Sequence, residues 1–219
     1  MTVPFIPFEE GQQGLDWIAL TDAIAAGHER PEAQVEDVFI RRGEDTLLNR
    51  SAWIDGMGVA VKACTVCPGN PAQGRPMING AVNLFDDDTG ELAAILDFHL
   101  VTKWKTAGDS LLAARRLARP DSRTILIVGA GTVARSLVEA YSAGFPDASF
   151  LIWNRTAARA EELAAEFDHV SAAGDLPGAV AQADIISCAT MSLSPILKGE
   201  WLKPGQHVDL IGAFRSDMR

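Results

Sequence analysis

Ile125-Leu-Ile-Val-Gly-Ala-Gly-Thr-Val-Ala134 is an apolar, β-type run that enters Gly129-x-Gly131-x-x-Ala134 and continues in helix-forming residues. This is the pattern of a phosphate-binding turn between a strand and a helix. Gly129 permits the tight turn, Gly131 lets the backbone approach a pyrophosphate, and Ala134 keeps helix and strand close. The helix N-terminus then offers unpaired N–H groups to the anion. Gly129, Ala130, Gly131, Thr132 and Val133 are therefore candidate dinucleotide contacts.

The next apolar run ends in Trp153-Asn-Arg-Thr156. An NAD site usually places Asp or Glu about 20 residues after the glycines, where it holds the ribose 2′-hydroxyl. Here that place holds Asn154, Arg155 and Thr156. A guanidinium between two neutral hydrogen-bonding side chains suits a 2′-phosphate, so the cofactor expected is NADP(H) ahead of NAD(H).

Strands and helices alternate from this point on. Strands are expected at 124–128, 149–153, 169–171, 183–190 and 207–211, with helices over 131–143, 156–167 and 176–182 between them. That is a doubly wound parallel sheet of Rossmann type, an α/β fold. Ligands of such sheets bind at the carboxyl ends of the strands, which adds Thr190, Met191 and Gly212 to the cofactor edge. The best boundary lies at Ala118-Arg-Pro-Asp-Ser-Arg123, where proline stops a helix before a strand begins. Residues 1–120 and 121–219 are expected as two domains.

The first domain reads as α+β, serving substrate or dimer contacts. Leu15 to Ala26 patterns as a helix with Leu15, Ile18, Ala19, Asp22 and Ala26 on one side. Strand-like runs follow at 58–66, 78–85 and 92–96. Asp86-Asp-Asp-Thr-Gly90 is a hairpin signal between the last two. Pro68-Gly-Asn-Pro71 and Gly74-Arg-Pro76 mark a rigid loop. A further helix is expected from Thr102 as cap to Ala118, with Trp104, Ala107, Leu111, Ala114 and Ala118 on one stripe.

Composition narrows the partners. The chain has 219 residues, 47% of them apolar, and carries 19 basic against 29 acidic side chains for a net charge of −10. That balance, with no basic run, argues against nucleic acid and anionic membranes. No apolar run approaches the roughly 18 residues needed to span a bilayer. The N-terminal Met-Thr-Val-Pro-Phe-Ile-Pro lacks a basic n-region and an h-region, so a cytoplasmic enzyme is expected. Cys64 and Cys67 lie three apart on an expected strand and point to opposite faces. No second Cys or His pair completes a zinc site, so no metal is expected.

Lys62 is the sharpest chemical candidate in the first domain. A lysine inside an apolar strand is costly unless paired or used; the alternative is an edge strand with Lys62 in water. Lys105, near the domain junction, is placed to hold an anion, though Asp109 four residues on offers it an ion pair. Arg41 and Arg42 either contact a carboxylate or solvate a loop, and the loop is the favoured reading. His28, His99, His169 and His207 are scattered, and hydride transfer needs no histidine nucleophile system.

Taken together, Gly58-Val-Ala-Val-Lys62, Pro68 to Pro76, Leu84-Phe85 with Thr89-Gly90, and Leu100 to Ser110 resemble the ornithine cyclodeaminase/mu-crystallin family. So do Ile152 to Thr156, Pro195 to Gly205 and Gly212-Ala-Phe-Arg215, and in these last groups the likeness is to the mu-crystallin-like ketimine reductases. The resemblance implies a two-domain homodimer that binds a small amino or imino acid in its first domain and a nicotinamide dinucleotide in its second. It makes Lys62 the lysine near the substrate carboxylate and reacting carbon. Lys105-Thr106-Ala107 matches the family's Arg-Thr-Ala, whose cation serves the substrate carboxylate or the cofactor phosphates. Lys62 and Lys105 are thereby the candidate catalytic residues, and Thr106 joins the cofactor contacts.

Three departures qualify this expectation. Lysine at 105 lacks the bidentate geometry of arginine. Phe214 stands where ornithine cyclodeaminase has an aspartate, which favours imine reduction over ornithine cyclisation. Family members also run on past Arg219, so the sheet is expected to be cut short there. The leading reading is an NADPH-dependent reductase of a cyclic imino acid of the pyrroline-2-carboxylate type. Its alternatives are ornithine cyclodeaminase or alanine dehydrogenase of the same family, a crystallin-like binder without turnover, and a shikimate dehydrogenase-like reductase, which shares the Asn154-Arg-Thr pattern.

Overall fold

Apolar alternation over Gly58–Val66 and Ile78–Phe85 builds the middle of a six-stranded sheet. The computed structural model describes residues 2–212. The chain divides into two units, Met1–Asp16 with Ala23–Thr102, and Trp17–Asp22 with Lys103–Arg219. In the first unit the strands are β1 (Phe5–Ile6), β2 (Gln34–Arg42), β3 (Asp45–Ile54), β4 (Gly58–Val66), β5 (Ile78–Phe85) and β6 (Leu92–Asp97), in the order β1-β6-β5-β4-β3-β2. All neighbours are antiparallel except β1 and β6.

The turns between these strands follow local chemistry. Asp86 Oδ1 accepts the Thr89 N–H at 2.9 Å and its hydroxyl at 2.8 Å, closing the hairpin expected at 86–90. Gly90, at φ +68°, takes the left-handed position. The loop after β4 is pinned where its prolines and glycines foretell: Asn70 and Asn79 both donate to the Pro76 carbonyl, at 3.0 and 3.1 Å.

Four elements escape the sequence reading: β1, β2, β3 and a short helix α1 (Phe8–Gln13). Arg41 and Arg42, read there as loop, end strand β2. Gly43 and Glu44 turn the chain, and Arg42 then pairs with Asp45 across the hairpin at 2.9 Å. Every residue of β2 is exposed, so no apolar alternation betrays it. The helix expected over 15–26 is α2 (Trp17–Gly27), and its buried residues are Trp17 and Thr21 rather than the stripe from Leu15 to Ala26. The reason is tertiary: Trp17 stacks on Trp104 with ring centroids 4.0 Å apart.

Helix α3 (Phe98–Leu117) starts four residues before the expected cap at Thr102. Asp97 caps it instead, accepting the Leu100 N–H at 2.9 Å. Its stripe of Trp104, Ala107, Leu111 and Ala114 is buried as its spacing foretells, while Ala118 lies beyond the helix and is half-buried.

The second unit is the doubly wound sheet. It runs β7 (Thr124–Val128), α4 (Thr132–Gly144), β8 (Ser149–Trp153), α5 (Ala157–Ala164), β9 (Val170–Ala172), α6 (Leu176–Gln182), β10 (Ile185–Cys188) and β11 (His207–Asp209). Every pairing is parallel and the order is β11-β10-β7-β8-β9. Ile125, Leu126, Ile127 and Val128 are all fully buried, because a central parallel strand has both faces covered. Reading outward from β7, the chain reverses direction of growth between β7 and β10. Such a switch point is where these sheets bind ligands. Among the described residues no helix is long and apolar enough to cross a membrane.

Candidate functional site

The turn after β7 has the backbone that its glycines demand. Gly129 sits at φ +123° and donates its N–H to the Trp153 carbonyl at 2.7 Å. A Cβ there would lie 2.6 Å from the Ala189 carbonyl oxygen. Gly131 differs: it is the N-cap of α4, no side chain caps that helix, and a Cβ on it would meet nothing. Free N–H groups at a helix start beside open space make a cradle that fits a pyrophosphate. Ala130, Thr132 and Val133 line the same turn, and Ala134 is fully buried behind it.

Three further segments reach this edge. Asn154, at the end of β8, donates from Nδ2 to the Thr156 carbonyl at 2.9 Å, which fixes the turn into α5. Thr156 is the N-cap of α5 but makes no side-chain cap bond, so its hydroxyl is not spent on the helix. Arg155 is exposed and forms no ion pair among the described residues. Thr190 and Met191 follow β10, and the Gly212 N–H bonds the Cys188 carbonyl at 2.9 Å after β11. A side chain at Gly212 would run into the backbone of Thr190, so only glycine lets these two segments close up. The residues picked on this edge from Gly129 to Val133, with Asn154 to Thr156, Thr190, Met191 and Gly212, thus stand at the carboxyl ends of four strands, β7, β8, β10 and β11. Cys188 is not a nucleophile in this setting: burial, helped by the Asp209 carboxylate, pushes its thiol up to about 11.

Lys105 and Thr106 lie on α3. Lys105 is exposed and paired with Asp109 one turn on, the ion pair that its spacing allows. Thr106 is half-buried. Phe214 and Arg215, with the expectations attached to them and to Arg219, fall outside the described residues.

Lys62 lies in the first unit, on β4. That strand is flanked by β3 and β5, so the edge-strand alternative fails. Lys62 is half-buried and forms no ion pair among the described residues. It stands directly opposite Arg50 on β3 and Val82 on β5. Val82 is buried, and so is Cys64, two residues along the same face; burial pushes the Cys64 thiol up while Lys62 pulls it down. Arg50 went unread in the sequence. The signal available was Asp55-Gly56, a turn pair whose hairpin brings residue 50 opposite residue 62.

A glycine cradle at the switch point of a parallel sheet, with a cationic rather than acidic end to its second strand, defines a Rossmann-type dinucleotide-binding protein. The model of the ornithine cyclodeaminase/mu-crystallin family matches residues 49–219, and the chain belongs to that family. It is 48% identical to the Delta(1)-pyrroline-2-carboxylate reductase of Paracoccus denitrificans, over 98% of this chain and 70% of the relative. It is 36% identical to the ketimine reductase mu-crystallin of Rattus norvegicus, over 74% of this chain and 52% of that protein, about half its length. The fold matches the Delta(1)-pyrroline-2-carboxylate reductase of Thermococcus litoralis, solved in complex with NADH and L-proline, with a TM-score of 0.83 at 21% identity. That match covers 95% of this chain and 68% of the other.

Proposed function

We propose that the protein is an NADPH-dependent reductase of a cyclic imino acid of the pyrroline-2-carboxylate type. The observation that carries this reading is the 48% identity to the Paracoccus reductase across 98% of the chain. Residues 121–219 serve the dinucleotide and residues 1–120 the substrate and dimer contacts. When bound, the reduced nicotinamide supplies the hydride that reduces the C=N carbon. The chain's own part is binding and charge. Gly129 to Val133 and the start of α4 hold the pyrophosphate, Thr190, Met191 and Gly212 complete that edge, and Arg155 with Asn154 and Thr156 takes the 2′-phosphate. Lys62 holds the substrate carboxylate. Lys105 is a weaker candidate for an anion, because Asp109 already occupies its ammonium.

The protein acts as a homodimer in this reading. Phe5, Val38, Ile40 and Trp53 share the sheet face opposite Lys62 and are each more than half exposed. Such an apolar face fits a self-complementary contact.

The test is oxidation of NADPH and NADH against a panel of cyclic imines and of 2-oxo acids with amines. Turnover of a cyclic imine with NADPH preferred is the expected result. Activity with NADH alone overturns the cofactor assignment. NADPH fluorescence quenching without oxidation by any imine replaces the enzyme with a crystallin-like binder.

A further inference from the structure

One cross-strand row of the first unit's sheet holds more charge than its fold needs. Asp37 on β2 faces Arg50 on β3, Arg50 faces Lys62 on β4, and Lys62 faces Val82 on β5. Directly opposed residues share a face, with Cβ atoms about 5 Å apart, and like charges so placed repel. Arg50 and Lys62 are such a pair. Asp37 offsets only the first: its carboxylate takes both Arg50 Nε and Nη2, at 2.7 and 2.5 Å. A fork bound on those two nitrogens is fixed in orientation, and its Nη1 hydrogens remain for a further acceptor. Lys62 has no ion-pair partner among the described residues. The row therefore carries one net positive charge, concentrated where Arg50 and Lys62 meet.

The neighbourhood leaves this charge reachable. One pleat along on the same face stand Ala52 and Ala60, themselves opposed, whose methyl groups barely rise above the sheet. The Arg50 side chain is 53% exposed and that of Asp37 26%. The Arg50 hydrogen bond holds the Asp37 carboxyl below its ordinary range, and Lys62 adds to the effect, so the three groups sense one another.

We infer that Arg50 is a second cation for the substrate carboxylate, acting beside Lys62, and that Asp37 is the positioning residue that holds its guanidinium in place. This deepens the reductase reading and rests on it for the identity of the substrate. A planar fork supplies the directed hydrogen bonds that the lysine point charge does not. The site then selects for a carboxylate next to the reacting C=N bond, and against an amide of the same shape.

The experiment compares the full chain with Arg50→Met, Arg50→Lys, Asp37→Asn and Asp37→Glu. Binding of L-proline and L-prolinamide, with other amino and imino acids as a panel, is read by calorimetry beside NADPH affinity and steady-state kinetics. Arg50→Met is expected to weaken L-proline about 10- to 100-fold, leave L-prolinamide and NADPH within about twofold, and raise KM for the imine more than it lowers kcat. Arg50→Lys should recover part of the loss. Asp37→Asn should raise KM about threefold or more, with partial rescue in Asp37→Glu. Equal weakening of acid and amide, or of neither, overturns the inference, as does failure of the wild type to bind any carboxylate of the panel. If carboxylate binding depends on Arg50 while no imine is reduced, the inference stands and the reductase reading falls.

Discussion

Asp184, at the foot of β10, gathers three donors on one carboxylate: the Arg119 guanidinium at 2.7 Å, the Arg123 N–H at 2.8 Å and the Thr124 N–H at 3.1 Å. It thereby ties the segment after α3 to the start of β7. Burial pushes its pKa up, but the two N–H bonds and Arg119 outweigh that and leave it below the ordinary value. A depressed folded pKa means that the stabilisation is fully present above the unfolded value of about 3.9 and is lost as pH falls through the folded one. Asp184→Asn is expected to cost about 1–3 kcal/mol at pH 7, and the gap to wild type should shrink toward pH 3. Urea unfolding at the two pH values measures this; an unchanged gap at pH 3 refutes it.

The two glycines of the cradle should fail differently when replaced. Gly129 combines φ +123° with a carbonyl 2.6 Å from any added Cβ, so Gly129→Ala should cost at least the roughly 1–3 kcal/mol of a strained backbone. Gly131 has an ordinary negative φ and open space around it. Gly131→Val should cost only the roughly 1 kcal/mol of a poorer N-cap and weaken dinucleotide binding about tenfold or more, since the new side chain fills the place proposed for the pyrophosphate. Thermal unfolding and NADPH titration of both variants decide the matter. Retained affinity in Gly131→Val would show that the pyrophosphate does not sit there.

The second unit was nearly readable from the sequence because its strands are buried on both faces. Ile125 to Val128 forms an unbroken apolar run, and its glycines carry backbone demands that few other folds share. The strand expected over 183–190 shrank to Ile185–Cys188, since Asp184 turns its side chain to the Arg119 cluster and Ala189 backs Gly129. In the first unit, β4, β5 and β6 show alternation and were legible, whereas β2 lies at the sheet edge with all its residues exposed. Arg50 was missed for another reason, although the Asp55-Gly56 turn held the register that places it. Its meaning depends on facing Lys62 and Asp37, a matter of register rather than residue type. Thr102 and Asp97 are both good caps, and only tertiary placement chose Asp97.

The hold on the 2′-phosphate proposed for Arg155 predicts a cofactor preference that one substitution should remove. It is exposed at the end of β8 and spends its charge on no ion pair among the described residues, and its chain neighbours Asn154 and Thr156 are neutral. Charge-assisted hydrogen bonds to a phosphate contribute about 1.5–3 kcal/mol, equivalent to about 10- to 100-fold. Arg155→Ala should weaken NADPH by that factor and leave NADH within about twofold. Fluorescence titration with both cofactors checks this, and parallel loss of NADH affinity would relocate the effect from the 2′-phosphate to the turn itself.

Trp17 should matter to the stability of the second unit although it comes from far upstream in the chain. Its ring stacks on Trp104 at 4.0 Å and 26°, and it is 8% exposed. One turn on, Arg115 bonds the Thr21 hydroxyl and the Asp22 carboxylate, so the short segment is held at both ends. Trp17→Ala removes a large buried aromatic and is expected to cost about 3–5 kcal/mol. Leu15→Ala, two residues earlier at 38% exposure, should cost far less. Equilibrium unfolding of the two variants tests the assignment of the buried face: comparable losses would restore the stripe that begins at Leu15, and a loss confined to Trp17→Ala places the contact on Trp104.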